Sequence, residues 1–569
     1  MRNRIIKDYL GSLKEDNELD YIFPMLLEAM GFRIVATPRN SKGQSQYGKD
    51  VVAIGKNEDG ILYRWYFELK GNNAKDINDK TFYLKDGVRE SILAAKYTSY
   101  EDSSTPKFNS LPIKIVFVHN GILFENTRPT FEGFIKREFA NGEFERWDIE
   151  YLTELFSKYL FNECLFCDDE SYSLFKKILV LLDAPGWNTK DLDRLIDLQL
   201  EKCPTKPKQN RRFVSKSFAS INLILNMIYF YSLNAKNLLP AKLSSERIVL
   251  KVWSWILKNN LEKNGLIANL FNRIVLLHLT IYSAYLEKLF PLATQYKGLY
   301  MYQGCDSEKI CYPLRCYNFM NDLLYYFIAY NAIYRKALTS NIVSSQYDII
   351  KNVLKNNSGF DMPLLDTHSI TLQLLIDFIF SYKHDDSIEI ELQEFIVRLV
   401  QNIIIRKRKQ DMFPELYGNR KEVAKSLYKK SPEYQDASSL FLMTLVEIVA
   451  WMDAEPLYIM LREIIEETKV NLQISYPINS DELEINLFER QLYKEMCVQT
   501  DIKLPKTLKE FKESHEKKYD SIILRTSNTH FSYLITLAHV HYQTDLFPDF
   551  LNLGFWKPMQ EGDNVKKEQ

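Results

Sequence analysis

The chain has 569 residues, of which 46% are hydrophobic and 26% charged, and its formal net charge is −1. This length exceeds one ordinary domain, so we expect two or three. The near-neutral charge excludes binding of nucleic acid through an overall basic surface, although a local basic stripe would suffice. Seven scattered cysteines and no apolar signal region predict a cytoplasmic protein. Polar residues interrupt the longest apolar stretches, so we expect no association with a membrane.

The first 160 residues alternate between helix and strand patterns. Apolar residues at helical spacing occupy 17–32, and Gly31 is a typical end signal for a helix. Runs at 33–38, 50–55, 62–71 and 113–120 predict strands, and helical patterns follow the third and fourth of these runs. The segment FERW is a candidate for a last short strand before a final helix. The order predicts an α/β domain with a mixed central sheet flanked by helices.

The remainder of the chain has a different sequence pattern, with few strand signals. Residues 161–212 carry prolines and basic residues and are predicted to be connector helices with a basic linker. From 213 to 557 nearly every segment, the last of them 482–498, repeats at helical spacing, which predicts a large all-α recognition or regulatory domain. A second basic cluster, RKRK at 406–409, lies within it. The polar tail 558–569 is predicted to be disordered.

Three charged residues interrupt the apolar strands of the first domain. Asp50 begins one strand, and Glu68 and Lys70 lie two apart on the next, so the latter two project from the same face. Asp59-Gly60 is a hairpin signal. A hairpin turning there places Asp50 beside Glu68 and Lys70 at one sheet edge. Two carboxylates in that position suit a hard divalent cation, and a nearby ammonium can orient water or neutralise phosphate charge. The alternative is ordinary surface charge on a hairpin.

The pattern of Asp50, then Glu-x-Lys 18 residues later on an apolar strand, resembles the PD-(D/E)xK, restriction-endonuclease-like nuclease superfamily. The preceding helix, the segments QYGKDVV and YFELKG, and the following helix and strand match the order of that family's core. The resemblance covers about residues 15–157. One departure is Lys49, which stands where many members have proline.

The resemblance implies a catalytic group made of Asp50, Glu68 and Lys70. Asp50, Glu68 and the backbone carbonyl of Leu69 would hold Mg²⁺ or Mn²⁺. The resemblance also implies an auxiliary polar residue from the first helix or from near the Asp, for which the candidates are Glu18, Asp20 and Gln46. Four basic residues around the site are candidates for contacts with nucleic-acid phosphates: Lys49, Lys75, Lys85 and Arg89.

The function implied by the resemblance is a magnesium-dependent endonuclease that hydrolyses DNA phosphodiester bonds, in bacterial restriction or antiviral defence. A partner protein, such as an ATPase or a sensor, or a homo-oligomer would control it. Two alternatives are left open by the sequence. One is an RNA-directed nuclease with the same site, because the three residues do not distinguish the sugar. The other is a non-catalytic helical scaffold that carries a degenerate nuclease domain.

Overall fold

The computed structural model describes residues 2–15, 19–37, 49–57, 59–71, 75–85, 87–98, 100–102, 105–140, 142–159, 169–184, 186–302, 304–382, 386–478, 482–515 and 524–544. Its contacts divide the chain into two units. Unit 1 contains residues 1–248 and 265–277, and unit 2 contains residues 249–264 and 278–569. Because helices 239–258 and 265–287 cross the division, each contributes to both units.

Unit 1 is built on a five-stranded sheet of β1 (Arg33–Ala36), β2 (Val51–Lys56), β3 (Leu62–Lys70), β4 (Ile113–His119) and β5 (Phe144–Trp147), which lie in that order. The first three strands pair antiparallel, and β3, β4 and β5 pair parallel. The flanking helices are α1 (Arg2–Ser12), α2 (Asp20–Met30), α3 (Asp79–Tyr83), α4 (Val88–Tyr97), α5 (Arg128–Glu138) and α6 (Ile149–Phe156). The predicted mixed sheet flanked by helices is confirmed; α1 was not predicted.

Local sequence explains how the hairpin and the two sheet faces form. Gly60 adopts a left-handed φ of 80° in the turn between β2 and β3, a conformation that glycine accepts without a steric cost. Along β3, side chains alternate between two cores. Phe67 packs against Phe23 of α2, with ring centroids 5.2 Å apart, whereas Tyr66 joins the apolar cluster under α3, α4 and α5. Both faces are therefore covered, and polar side chains gather where the strands end.

Three further helices of unit 1 follow the sheet: α7 (Asp169–Leu181), α8 (Lys190–Glu201) and α9 (Arg211–Asn234). The helices α10 (Leu239–Lys258) and α11 (Gly265–Glu287) then begin in unit 1 and end in unit 2. Tyr9 of α1 makes an edge contact with Phe230 of α9, with centroids 5.7 Å apart, and Arg273 of α11 pairs with Glu28 of α2 at 2.7 Å. Helices α9 and α11 therefore contact α1 and α2, two of the helices that flank the sheet.

Unit 2 is largely helical. Its remaining helices are α12 (Phe290–Ala293), α13 (Glu308–Ile333), α14 (Ser340–Asn356), α15 (Ser369–Ser381), α16 (Asp386–Gln410), α17 (Arg420–Lys425), α18 (Leu440–Trp451), α19 (Glu455–Thr468), α20 (Leu483–Phe488), α21 (Leu508–Ser514) and α22 (Tyr533–Tyr542). The prediction of an all-α domain is wrong in one respect, because three strands form a second sheet: β6 (Ser438–Ser439), β7 (Asn471–Pro477) and β8 (Met496–Ile502). The predicted helix 482–498 accordingly ends at Phe488. Pairing with β7 overrides the helical pattern that follows.

The predicted domain boundaries, 1–160, 161–212, 213–557 and 558–569, stay predictions, and the last range lies outside the described residues. Within the described chain, two helical segments have the length and composition to cross a bilayer, Phe213–Asn234 and Gly265–Glu287. In the most apolar windows of these segments, 72% and 56% of the residues are buried inside the protein. Such burial is typical of core helices of a soluble protein, and the cytoplasmic location stays a prediction.

Candidate active site

The register of the β2–β3 hairpin brings Asp50 next to Glu68. Val51 pairs with Phe67 in antiparallel register, so Asp50, one residue earlier, lies opposite Glu68, one residue later. An oxygen of the Asp50 carboxylate accepts a hydrogen bond from the backbone N–H of Leu69 at 2.7 Å. The predicted convergence of the two strand ends is therefore present, and one carboxylate oxygen of Asp50 is fixed against the neighbouring strand.

Glu68 and Lys70 form an ion pair on one face of β3. Lys70 Nζ lies 2.8 Å from Glu68 Oε1, as the two-residue spacing on a strand requires. The Glu68 side chain is only 5% exposed and that of Lys70 14% exposed. Burial of a charged pair is costly unless each partner is well compensated, so this pair is unusual for a simple hairpin surface. Surface charge does not describe it.

A third carboxylate joins the group, and sequence reasoning missed it. Glu15, in the connection between α1 and α2, places Oε1 3.2 Å from Lys70 Nζ, and its Oε2 accepts from the Gly71 backbone N–H at 3.3 Å. The auxiliary acid was sought at Glu18 or Asp20. Glu18 lies outside the described residues, as does Gln46, and Lys70 pairs with Glu15 rather than with Asp20. Glu18, Asp20 and Gln46 stay predictions, and Glu15 was missed because α1, which it directly follows along the chain, was not predicted.

The end of α1 is held close to the sheet by hydrogen bonds from the side chains of Asn120 and Lys75. The Asn120 side-chain amide donates to the carbonyls of Leu10 and Leu13, both at 2.7 Å, while the Asn120 backbone N–H donates to the Lys70 carbonyl at 3.4 Å. Lys75 Nζ donates to the carbonyl of Gly11 at 2.9 Å. Asn120 therefore links the α1 terminus and the strand that carries Lys70. A polar residue ending the apolar β4 was the one available sequence signal for it.

Gly71 explains why the Glu15 connection approaches β3 so closely. A Cβ atom at position 71 would lie 2.7 Å from the Glu15 backbone nitrogen, a distance that real Cβ contacts do not reach. Any side chain there would force the connection away from the strand. The glycine directly after Lys70 is therefore part of how the chain brings Glu15 to the ammonium.

Electrostatics set this cluster apart from an ordinary ion pair. Burial, and then the neighbouring Glu68 charge, raise the pKa of Asp50 well above its usual value. Burial also raises the pKa of Glu15, although Lys70 opposes that rise. For Lys70 burial alone would lower the pKa, but the charges of Glu68 and Glu15 outweigh it and raise the pKa above the ordinary lysine value. Two carboxylates thus pair with one protonated amine while a third, that of Asp50, lies beside Glu68, and this excess of negative charge attracts a cation.

His119 lies beside the cluster but is occupied by structural bonds. It is the register partner of Lys70 on β4. Arg146 Nη1 donates to its Nε2 at 3.1 Å, so the proton is on Nδ1, which lies 2.8 Å from the Lys75 carbonyl and donates to it. Burial lowers the pKa of His119 to about 4. A neutral histidine with both nitrogens engaged is a structural residue rather than a general base.

The four candidate phosphate contacts divide into two pairs. Lys49 is buried, and its ammonium donates to the Thr98 carbonyl at the end of α4 at 2.7 Å, while Lys75 is held on α1. These two ammonium groups thus make hydrogen bonds within the protein, and their contacts with nucleic acid stay predictions. Lys85 and Arg89 are exposed, and the Arg89 guanidinium lies 5.8 Å from the ring centroid of Phe134. Contacts of Lys85 and Arg89 with phosphates stay predictions.

The carboxylate oxygens of Asp50 and Glu68 could supply some of the ligands of a hard divalent cation. Among the described residues, no group of three or more His, Cys, Asp or Glu side chains is arranged to hold a metal ion. Mg²⁺ needs fewer protein ligands, since it is commonly bound through one or two carboxylates and retains several waters. Asp50 and Glu68 provide such a pair, with burial and mutual repulsion that a cation would relieve. The Leu69 carbonyl as a further ligand stays a prediction.

The chain matches no family model, no curated protein and no solved structure. Inference about its function therefore depends on the geometry and charge of the cluster formed by Glu15, Asp50, Glu68 and Lys70.

Proposed function

We propose that unit 1 is a divalent-metal-dependent nuclease that hydrolyses DNA phosphodiester bonds, with Asp50, Glu68 and Lys70 as its catalytic group. The observation that carries the proposal is the largely buried cluster at the ends of β2 and β3, where Glu68 and Glu15 pair with the Lys70 ammonium and Asp50 lies beside Glu68. Uncompensated charge of this kind destabilises a fold, and such groups concentrate at functional sites. The resemblance of residues 15–157 to the PD-(D/E)xK superfamily gives the reaction class.

Asp50 and Glu68 would hold Mg²⁺ or Mn²⁺, and the bound ion would supply charge stabilisation to the phosphate and a more acidic water. The hydrogen bond from Leu69 N–H orients the Asp50 carboxylate so that its other oxygen remains available. Glu15 adds a third carboxylate beside the lysine. We include Glu15 in the proposed site as an auxiliary acid, beside the candidates Glu18, Asp20 and Gln46, which stay predictions.

Lys70 acts in this proposal as a charged ammonium. Its raised pKa means that proton removal from water by a neutral amine is disfavoured while Glu68 and Glu15 are ionised beside it. An ammonium can instead donate hydrogen bonds to the attacking water or to a phosphate oxygen, and it can stabilise negative charge that develops on the phosphate. The lysine therefore orients and neutralises rather than abstracts a proton.

The wider context of the proposal is restriction or antiviral defence. Unit 2 would recognise nucleic acid or bind a controlling partner, such as an ATPase, a sensor or a second copy of the chain. The exposed Lys85 and Arg89 would contact the phosphate backbone of the substrate.

The decisive experiment measures cleavage by the full chain with Mg²⁺ or Mn²⁺ on plasmid DNA, single-stranded DNA and structured RNA. We expect DNA cleavage by the natural protein and a loss of at least about 10³-fold in Asp50→Asn and Lys70→Met, the scale seen when a main electrostatic catalytic group is removed. Chelation of the metal should abolish cleavage. Preferential cleavage of RNA would replace DNA as the substrate.

A matched control comes from the same sheet. Lys114 of β4 is also a strand lysine, with a side chain 11% exposed and an ion pair to Glu145 at 2.5 Å, but it lies near the start of its strand, away from the cluster. Lys114→Met should retain cleavage. Cleavage that survives both Asp50→Asn and Lys70→Met would reject the site, and absence of cleavage on all three substrates with either metal would reject the nuclease.

A further inference from the structure

Unit 2 contains a cavity of about 250 Å³ between the start of α13, the end of α16 and α17. Its floor is apolar and buried, and is formed by Ile310, Leu364, Met412 and Val423, which also belong to one small core cluster. Its rim is exposed and includes Lys309, Ser358, Met362 and Gln410. A buried apolar floor that opens to solvent through polar residues is the usual form of a small-molecule site.

Two tyrosines add flat walls to this cavity. Tyr300 and Tyr312 both line it and meet edge to face, with ring centroids 5.2 Å apart and planes at 85°. Aromatic walls favour a flat, apolar ligand body, because rings pack by stacking or edge contacts as well as by burial of area. The volume is slightly below the roughly 300–1,000 Å³ common for ligand pockets, so the ligand is small.

Two charged residues of the cavity, Glu308 and Lys309, are paired with charges of the protein itself. Glu308 lines the cavity, but its carboxylate is neutralised by Arg315, with Nη2 2.6 Å from Oε1, and accepts from the Met301 backbone N–H at 3.0 Å. Lys309, at the rim, pairs with Asp306 at 3.0 Å. The carboxylate and the rim ammonium are therefore both compensated within the protein.

Arg406 differs from Glu308 and Lys309 in the compensation of its charge. Arg406 lines the cavity, its guanidinium donates through Nη1 to the Pro363 carbonyl at 2.9 Å and interacts with the Tyr434 phenol, and no carboxylate of the described chain forms an ion pair with it. A guanidinium has five N–H donors in a rigid fork, so one bond to a carbonyl orients the group and leaves donors for an anion. A negatively charged group of a ligand would accept hydrogen bonds from these remaining N–H donors.

Arg406 belongs to the basic cluster RKRK at 406–409, near the end of α16. Lys407 pairs with Asp411 at 2.7 Å, and Arg408 approaches Glu467 at 3.8 Å. Arg406, Lys407 and Arg408 therefore have separate partners, and Arg406 is the member of the cluster that lines the cavity.

We propose that this cavity binds a small molecule composed of a flat apolar body and one anionic group, with Arg406 as the anion contact and Tyr300 and Tyr312 against the body. The inference is independent of the nuclease proposal, because its residues lie in unit 2 and its test measures binding rather than cleavage. The anion can be a carboxylate, a phosphate or a sulfonate, since all of them match the guanidinium fork.

The test uses two probes of nearly the same shape, naphthalene-2-sulfonate and its neutral counterpart naphthalene-2-sulfonamide, titrated into the full chain by calorimetry. We expect the sulfonate to bind at least about tenfold more tightly, as a hydrogen bond to a charged group in a partly buried site contributes. Arg406→Gln should remove that difference by weakening the sulfonate alone. Equal binding of the two probes, or no binding of the sulfonate, would overturn the proposal.

Two more variants keep the test sharp. Arg408→Gln is the matched control, because Arg408 lies on the same helix with its side chain 61% exposed and does not line the cavity; it should bind both probes like the natural protein. Leu427→Trp, which fills the cavity from its wall, should weaken both probes. If Arg406→Gln fails to fold by circular dichroism, Arg406→Lys is used and should keep only part of the sulfonate preference. Unchanged binding in either cavity variant would contradict the assignment.

Discussion

Two buried carboxylates of unit 2 differ from those at the sheet edge of unit 1 in how their charge is compensated. In unit 2, Glu308 is 1% exposed and bound by Arg315, and Asp366 accepts from the Ser439 hydroxyl and from the backbone N–H groups of Leu440 and Phe441 at the start of α18. Burial alone would raise the pKa of Glu308, but its Arg315 and backbone bonds hold the pKa below the usual value. These acids stabilise the helical packing.

At the sheet edge of unit 1 there are fewer positively charged partners than carboxylates. Glu68 and Glu15 share the Lys70 ammonium, Asp50 lies beside Glu68, and the pKa values of Asp50 and Glu15 rise instead of falling. Both units bury carboxylates, so burial does not distinguish structural acids from functional ones. What distinguishes them is whether each charge is compensated, and an uncompensated group is maintained at a cost in stability because a ligand or a reaction uses it.

The largest effect should come from breaking a compensated pair. Arg315→Ala leaves Glu308 buried without its cation, and we expect a loss of about 3–5 kcal/mol in the free energy of unfolding, as found when one partner of a buried ion pair is removed. Chemical denaturation measures it. Because the Arg315 side chain is 25% exposed, the lower end of that range applies. A change below about 1 kcal/mol would show that the pair is not what stabilises this region.

Substitution of Glu15 should lower activity without lowering stability. We expect Glu15→Gln to lower DNA cleavage by about 10- to 100-fold, within the range for one auxiliary group, with no loss of stability, because the glutamine removes one excess negative charge while its oxygen can still accept from Gly71 N–H. Steady-state cleavage at several Mg²⁺ concentrations measures it, together with thermal unfolding. Glu28→Gln is the control, since Glu28 pairs with Arg273 outside the cluster. Full activity in Glu15→Gln would remove Glu15 from the site.

Much of unit 1 could be predicted from sequence because its signals are local. The alternation along β3 and the turn at Gly60 determine that Asp50 lies opposite Glu68, and the structure confirms that register. Glu15 and Asn120 could not be found in this way. Their roles arise from contacts 55 and 107 residues apart in the chain, Glu15 with Lys70 and Asn120 with Leu13, and no periodicity encodes such a distance. In unit 2, β8 was missed for the same reason, since its partner strand rather than its own pattern determines it.

The smallest effect should come from relieving the repulsion at the site. Asp50→Asn removes a buried charge next to Glu68 and preserves an oxygen that can accept from Leu69 N–H. We expect a gain of about 1 kcal/mol in the free energy of unfolding at pH 7, within the range for neutralising a strained functional position, although cleavage is lost. Denaturant unfolding of the two proteins measures it. Added Mg²⁺ should raise the melting temperature of the natural protein more than that of Asp50→Asn.

The pH dependence of that gain separates relief of charge from a change in packing. Because the pKa of Asp50 is raised in the folded state, the folded protein holds the proton to a higher pH than the unfolded chain does. The natural protein therefore loses stability as the pH rises from the unfolded value, about 3.9, through the folded one. Below that window the carboxyl is protonated in both states, so the advantage of Asp50→Asn should shrink as the pH falls. A gain that is constant between pH 4 and pH 8 would mean that charge at Asp50 is not what the fold resists.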